Sequence, residues 1–218
     1  MKIVQAACVI SLALLTSAVL AEEMNISDLP ATRTFDSTPK LAFGQVIRYG
    51  NKTVFSPCRD PSFTNFEDAS SDGRIGRALD KLGLSAGKKL YVEVLGIREG
   101  DALKATDMNF AQTDGRCQMP GGKTEIWRAS GNEPAWMLAF GAEFVQVKRV
   151  GKPEVMVPAA PLTLEPGLAT FSASKDNQSV SLRFERQLCY DTMADAVFGW
   201  TASVTANGET LKGCAWQR

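Results

Sequence analysis

The sequence contains no histidine. Imidazole is the side chain whose ordinary titration falls near neutral pH, so Ser-His-Asp catalysis, Cys-His catalysis and His-ligated zinc are excluded together. CxxC pairs and MxxM clusters are also missing. That leaves no recurrent thiolate or thioether arrangement for zinc or Cu(I), and a chain without metal or cofactor is expected. An excess of charge of either sign is lacking as well, since 24 Lys+Arg balance 24 Asp+Glu. Nucleic-acid binding and polybasic membrane attachment both call for a basic surplus, so neither is expected. No fixed-period repeat or low-complexity tract occurs. The 44% apolar and 22% charged composition is that of an ordinary globular chain, with core enough for one or two domains.

The one long hydrophobic run is N-terminal. Lys2 precedes an uncharged stretch from Ile3 to Leu20, and Val19-Leu20-Ala21 leads into Glu22-Glu23. A positive start, an apolar middle and a small-residue end before acidic residues are the marks of an export signal, read here as residues 1–21. Cleavage would leave no transmembrane segment and place the protein in the periplasm or the medium. Cys8 leaves with the signal, and Cys58, Cys117, Cys189 and Cys214 remain. An even cysteine count in an oxidising compartment reads as disulfides. Of the three possible connectivities, Cys58–Cys117 and Cys189–Cys214 are favoured, one in each half of the chain. By loop-closure entropy they would contribute about 4 and about 3.5 kcal/mol.

Residues 22–40, with Pro30 and Pro39, read as an N-terminal arm. A first β unit with one helix is expected over 41–118. Its strands are Phe43–Tyr49, Thr53–Phe55, Leu90–Ile97 and Ala102 to about Phe110, with Gly50-Asn51 as a tight turn. Ile75, Ala78, Leu79 and Leu82 share one helical face, with Ser71 or Asp72 as cap and Gly83 just past the end. Met119-Pro-Gly-Gly122 marks a boundary, and a second, Trp-containing β unit follows over 123–218. Trp136–Phe140 and Glu143–Val147 read as a hairpin that sets Trp136 opposite Val147 and Leu138 opposite Val145. Four prolines from Pro153 to Pro166 suit an edge strand or long loop. Val180, Leu182 and Phe184 alternate with polar residues. Asn207-Gly208 joins Trp200–Ala206 to Glu209–Ala215, with Val204 opposite Leu211 and Thr201 opposite Cys214. The expected fold is mainly β: two small barrel-like or sandwich-like units, the first carrying one short helix.

Three signatures in the second half occur in order: Gly131-Asn-Glu-Pro-Ala-Trp136, Cys189-Tyr-Asp-Thr-Met193 and Leu211-Lys-Gly-Cys-Ala215. Together they resemble a bacterial envelope-protein family, known mostly as uncharacterised predicted lipoproteins or membrane proteins, whose members carry GNEPxW, CxDxM and LxGCA. The resemblance covers roughly 127–215 and implies an envelope location and a small β domain, with no reaction attached. Unlike the lipoprotein members, this chain has no cysteine at the cleavage point, so a lipid anchor is not expected.

Candidate site residues come from the same signatures. Glu133 and Trp136 form a binding surface or, more simply, a turn that aims the indole into the sheet. Tyr190, Asp191, Met193 and Asp195 lie in a segment, 190–197, that reads as a loop. Asp191 and Asp195 could join Glu133 as a carboxylate acid–base set of the glycosidase kind, although nothing in the spacing sets their separation. SxxK spacings at Ser37–Lys40, Ser85–Lys88 and Ser172–Lys175 lack the helical turn and companion motifs a Ser–Lys dyad needs. The best-supported expectation is an exported non-enzymatic protein that binds another protein or an envelope component. The alternatives are an inhibitor of a secreted hydrolase such as lysozyme, a ligand-carrying barrel and, last, a carboxylate-only hydrolase.

Overall fold

A computed structural model describes residues 37–85, 88–117 and 124–218. The signal segment 1–21, most of the arm and the Met119–Gly122 boundary fall outside the described residues. The chain is mainly β, as the alternating patterns require. The first strands are β1 (Lys40–Tyr49), β2 (Lys52–Pro57) and β3 (Thr64–Asp68), followed by helix α1 (Arg74–Lys81), β4 (Lys89–Glu99) and β5 (Ala102–Gln112). Strand β1 pairs with β2 and β4, β2 with β3, β3 in parallel with β5, and β5 with β4. The five strands therefore close on themselves in a Greek-key barrel of OB type, and closure removes the unpaired edges. Val46, Phe55, Leu90, Val92, Val94 and Leu103 fill its interior, with exposures of 0–1%.

Helix α1 plugs this barrel with Ile75, Ala78 and Leu79, and each large aliphatic side chain buried there contributes about 1.5–3 kcal/mol. Gly83 takes φ +86 just beyond its end, as the sequence predicts. The cap differs from expectation. Neither Ser71 nor Asp72 makes a side-chain cap; instead the Asp68 carboxylate, arriving from β3, accepts the Gly76 N–H at 2.7 Å. Asp72 and Gly73 both take positive φ, and the Asp72 carboxylate accepts from Arg77 at 2.9 Å instead of capping the helix.

The second half supplies β6 (Glu125–Asn132), β7 (Ala135–Gly141), β8 (Phe144–Arg149), β9 (Val155–Pro158), β10 (Thr163–Glu165), β11 (Leu168–Lys175), β12 (Gln178–Glu185), β13 (Cys189–Asp191), β14 (Ala196–Phe198), β15 (Trp200–Ala206) and β16 (Glu209–Gln217). Nine of them form a curled antiparallel half-barrel in the order β10-β11-β12-β15-β16-β6-β7-β8-β9. The proline-rich stretch yields the two edge strands, β9 and β10, where a missing N–H is tolerated. Inside the curl, Trp127 meets Trp200 edge-on at 5.0 Å and Phe184 at 5.1 Å, and Phe140 meets Phe171 at 5.0 Å.

The β15–β16 hairpin has the expected register, with Asn207 and Gly208 at φ +50 and +83. In the β7–β8 hairpin the turn falls on Ala142-Glu143, so Leu138 faces Val147, Phe140 faces Val145 and Trp136 faces Arg149. This register is displaced by two residues from the expected one. An even shift keeps every side chain on its face, so the inward set survives.

The division at the chain's midpoint is not the division between sheets. Strands β13 and β14 leave the second half and join the barrel sheet, β14 pairing with β5 through Phe198 and Phe110. Ala196, Val197 and Phe198 are all buried, Val197 in the barrel core and its neighbours in the seam between sheets. An apolar triplet covered on both faces can only be an interior strand, and residues 190–197 are accordingly a hairpin with a short turn, not a loop. Residues 37–218 thus belong to one compact unit.

The seam packs Phe110, Phe198 and Trp216 within 4.9–6.1 Å of one another. Beside it lies a buried polar chain. The Tyr91 hydroxyl and the Asn109 amide donate to the Glu93 carboxylate at 2.9 and 2.8 Å, and Asn109 also exchanges two bonds with the Gln217 backbone of β16. Burial pushes the Glu93 carboxyl above the ordinary carboxylate range, against the opposing pull of Tyr91, Asn109 and Arg218. A carboxyl with a raised folded-state pKa contributes stability when protonated and loses it as pH rises through that pKa. Glu93→Gln, which can accept from Asn109 and donate to Tyr91, removes this slope. Urea titrations from pH 4 upward should therefore show the stability of the variant relative to the parent increasing with pH (roughly 1.4 kcal/mol per unit of pKa displacement).

Candidate functional site

The three signatures meet at one place. A groove of about 320 Å³ is lined by Ser130, Gly131 and Asn132 at the end of β6 and Glu133 of the turn after it, by Cys189–Met193, and by Lys212, Gly213 and Cys214 of β16. It lies where the hairpin β13–β14, which belongs to the barrel sheet, approaches the outer face of β6 and β16. Its base is covalent. Cys189 of β13 is bonded to Cys214 of β16, so this bridge ties the two sheets together, while Cys58–Cys117 staples the barrel. Both pairings are those favoured from the sequence, and Cys214 sits in the small seam cluster, apart from the main cores.

Beneath the groove the glycines of the signatures have a steric task. The ladder between β16 and β6 ends at Cys214 opposite Ser130, and past that point the Trp136 indole N–H donates to the Lys212 carbonyl at 3.0 Å. A Cβ on Gly131 would come within 2.3 Å of that carbonyl and of the indole nitrogen. One on Gly213 would meet the Ser130 carbonyl at 2.0 Å. Real side chains do not pack this closely, so GNEPAW and LKGCA are two halves of one arrangement in which an indole lies over two bare strands. Trp136 is 4% exposed, and its indole packs within the sheet. Glu133 precedes a cis Pro134 and stands on the groove wall.

Asp191 organises the opposite wall. Its Oδ1 accepts from the Asn132 amide at 2.9 Å, the Met193 N–H at 2.9 Å and the Ala194 N–H at 3.2 Å. The carboxylate thereby folds the β13–β14 turn and pins it to the β6–β7 turn. Tyr190 lines the groove with one face of its ring covered by the Lys81 ammonium of α1, 3.7 Å from the ring centre. Met193 at the turn tip is 80% exposed. Asp195 does not join them. It takes φ +44 to close the turn, its carbonyl accepts the Thr113 N–H, and its side chain is not among the lining groups. Of the three carboxylates considered together, the fold assembles Glu133 and Asp191 only, and Asp191 is engaged in holding the turn.

Ser130, Thr192, Lys212 and Lys81 also belong to this neighbourhood, and sequence reasoning did not single them out. Lys212 lies within a signature; Ser130 precedes one and Thr192 lies inside another, while Lys81 comes from the helix of the other half and nothing in the linear order connects it to Tyr190. Among the described residues no group of three or more Cys, Asp or Glu side chains is placed to hold a metal ion, and no helix is long and apolar enough to cross a membrane. Compared with models of known protein families, with characterised proteins and with solved structures, the chain matches none.

Two outcomes follow for stability. Gly131→Ala or Gly213→Ala should each cost about 1–3 kcal/mol in chemical denaturation, because backbone atoms block the added methyl. Replacing Cys189 and Cys214 by serine together should cost about 2–4 kcal/mol, and hydrogen exchange should show the loosening concentrated in β13, which among the described residues ladders with β14 alone.

Proposed function

We propose that the protein is an exported, non-enzymatic binding module of the bacterial cell envelope, and that it contacts a protein or envelope component through the groove at the sheet junction. The observation that carries this reading is the convergence of all three signatures on that groove. A signature that served the core alone would have no reason to place Glu133, Asp191 and Met193 around one open hollow. Rigid backing by a disulfide and by the Asp191 turn lowers the ordering cost of binding there. The apolar leader, the paired cysteines and the resemblance to envelope proteins support residence in the periplasm or outside the cell. Both interiors are occupied by side chains, Trp127, Phe140, Phe171, Phe184 and Trp200 in the half-barrel and Phe55 with its aliphatic neighbours in the barrel. That filling favours contact at the surface over carriage of a ligand inside.

A second reading draws on the β13–β14 turn, which projects an exposed Met193 from a doubly braced base. A braced, protruding turn is the shape of a hydrolase inhibitor, and a lysozyme inhibition assay discriminates it. Inhibition abolished by Met193→Ala would establish it, and none at high molar excess would remove it.

For the leading proposal, a photo-cross-linking residue placed at Thr192 in cells should capture an adduct that the same residue at Lys175, on β11 away from the groove, does not. Equal labelling at both positions, or none at either, would count against the groove as the contact surface.

A further inference from the structure

We infer that the outward face of β7, β8 and β9 docks a peptide segment of a partner protein in which apolar side chains stand beside a lysine or arginine. Alternation along these strands sends Leu138, Phe140, Val145, Val147, Val155 and Val157 into the core and leaves the residues between them outside. Met137, Phe144 and Met156 are among those left outside, 43%, 47% and 39% exposed. Single apolar residues on a surface need no explanation, but three on adjacent strands of one sheet face form a patch, and such patches mark contact sites. Between them the face carries little bulk. The ladder sets Ala139 opposite Gln146 and Gln146 opposite Met156, and Gly141 ends β7 without a side chain. A hollow of about 370 Å³ results, lined by Ala139 and Gly141 together with Phe144 and Met156. It shares no lining residue with the groove at the sheet junction, so its test is independent of the cross-linking test of that groove.

Charge selects the occupant. Around the hollow, Glu125 accepts two bonds from Arg128, at 2.5 and 3.0 Å, and Glu154 accepts from Gln146 and lies 3.6 Å from the Lys148 ammonium. Glu143 differs. It lines the hollow, it is exposed, and among the described residues its carboxylate has no hydrogen bond or ion pair. The apolar patch therefore carries one uncompensated charge, and that charge is negative. An anionic lipid surface would be repelled by it. A second copy packed face to face about a two-fold axis would bring two Glu143 carboxylates into one interface, with Arg128 and Lys148 already engaged. A peptide with a basic residue beside its apolar ones matches both features of the face, since it covers Phe144 and Met156 while its cation meets Glu143. The volume lies at the small end of binding sites, which suits a few side chains of a short linear segment.

The experiment is a chemical-shift titration of isotope-labelled protein, expressed from its full coding sequence and recovered in its exported form. The probes are two short peptides blocked at both ends, one of alternating leucine and lysine, the other its twin with glutamate in place of lysine. Saturable shifts at residues 124–125, 139–146 and 156 are expected with the lysine peptide. In about 50 mM salt the glutamate twin should bind at least about threefold more weakly, and about 500 mM salt should narrow that gap. Glu143→Gln should abolish the gap, and Phe144→Ala should weaken both peptides by about tenfold. Both side chains are exposed, so neither replacement endangers the fold, and near-ultraviolet circular dichroism checks this. No saturable shifts on this face with about 10 mM lysine peptide overturn the inference, and so does equal affinity for the twins. Shifts of the same residues on diluting the protein alone from about 1 mM to about 0.05 mM would assign the face to a second copy. A stronger response to vesicles of anionic phospholipid than to the lysine peptide would assign it to a membrane. Either result also overturns the inference.

Discussion

Cys189 and Cys214 stand on strands of different sheets, and the bond between them lies at the point where almost every other feature of the molecule converges. Among the described residues strand β13 has a single ladder partner, and it is three residues long, so alone it would be a loose edge of the barrel sheet. The crosslink holds it against β16, and the Asp191 carboxylate then fastens its turn to the β6–β7 turn. Around this junction sit an aromatic seam and a buried carboxylate network that tie barrel and half-barrel into one body. Without that fixed approach the walls of the groove would have no set separation. The disulfide is thus less a brace for either core than the element that defines a surface between them.

The same junction explains why the signatures contain glycines and a tryptophan. A groove at a sheet seam needs strands that come close without side chains between them, and something must still satisfy the carbonyl exposed where the ladder ends. The Trp136 indole does both, covering Gly131 and Gly213 and donating to Lys212. Trp136 and the glycines thus build the floor of the groove, and Asn132, Glu133 and Thr192 stand on its walls.

Much of the fold was legible in advance because its determinants are local. Period-two alternation identified β12, β15 and β16; Asn207-Gly208 dictated a two-residue turn; the spacing of Ile75, Ala78 and Leu79 identified the helix. What local pattern misses is partnership. The capping carboxylate of α1 comes from Asp68, outside the helix's own first turn, and the β7–β8 turn formed one residue later than its glycine indicated. The triplet Ala196-Val197-Phe198 was too short to register as a strand, and only its burial between two sheets makes it one. For the site, Glu133, Tyr190, Asp191 and Met193 could be named from the signatures, but not the exclusion of Asp195 or the recruitment of Ser130 and Lys81.

Composition alone narrowed the chemistry open to this chain. Without imidazole it lacks the side chain whose ordinary titration falls near neutral pH, and Cys58, Cys117, Cys189 and Cys214 pair as crosslinks. The first of these depends on residue type and needs no coordinates. Tertiary structure decided that a hairpin from one half would complete the sheet of the other, since pairing between distant strands is won by the burial it achieves and leaves no periodic trace in the chain. The groove exists because of that exchange: three stretches separated by dozens of residues come to line one hollow only when the sheets that carry them are brought together.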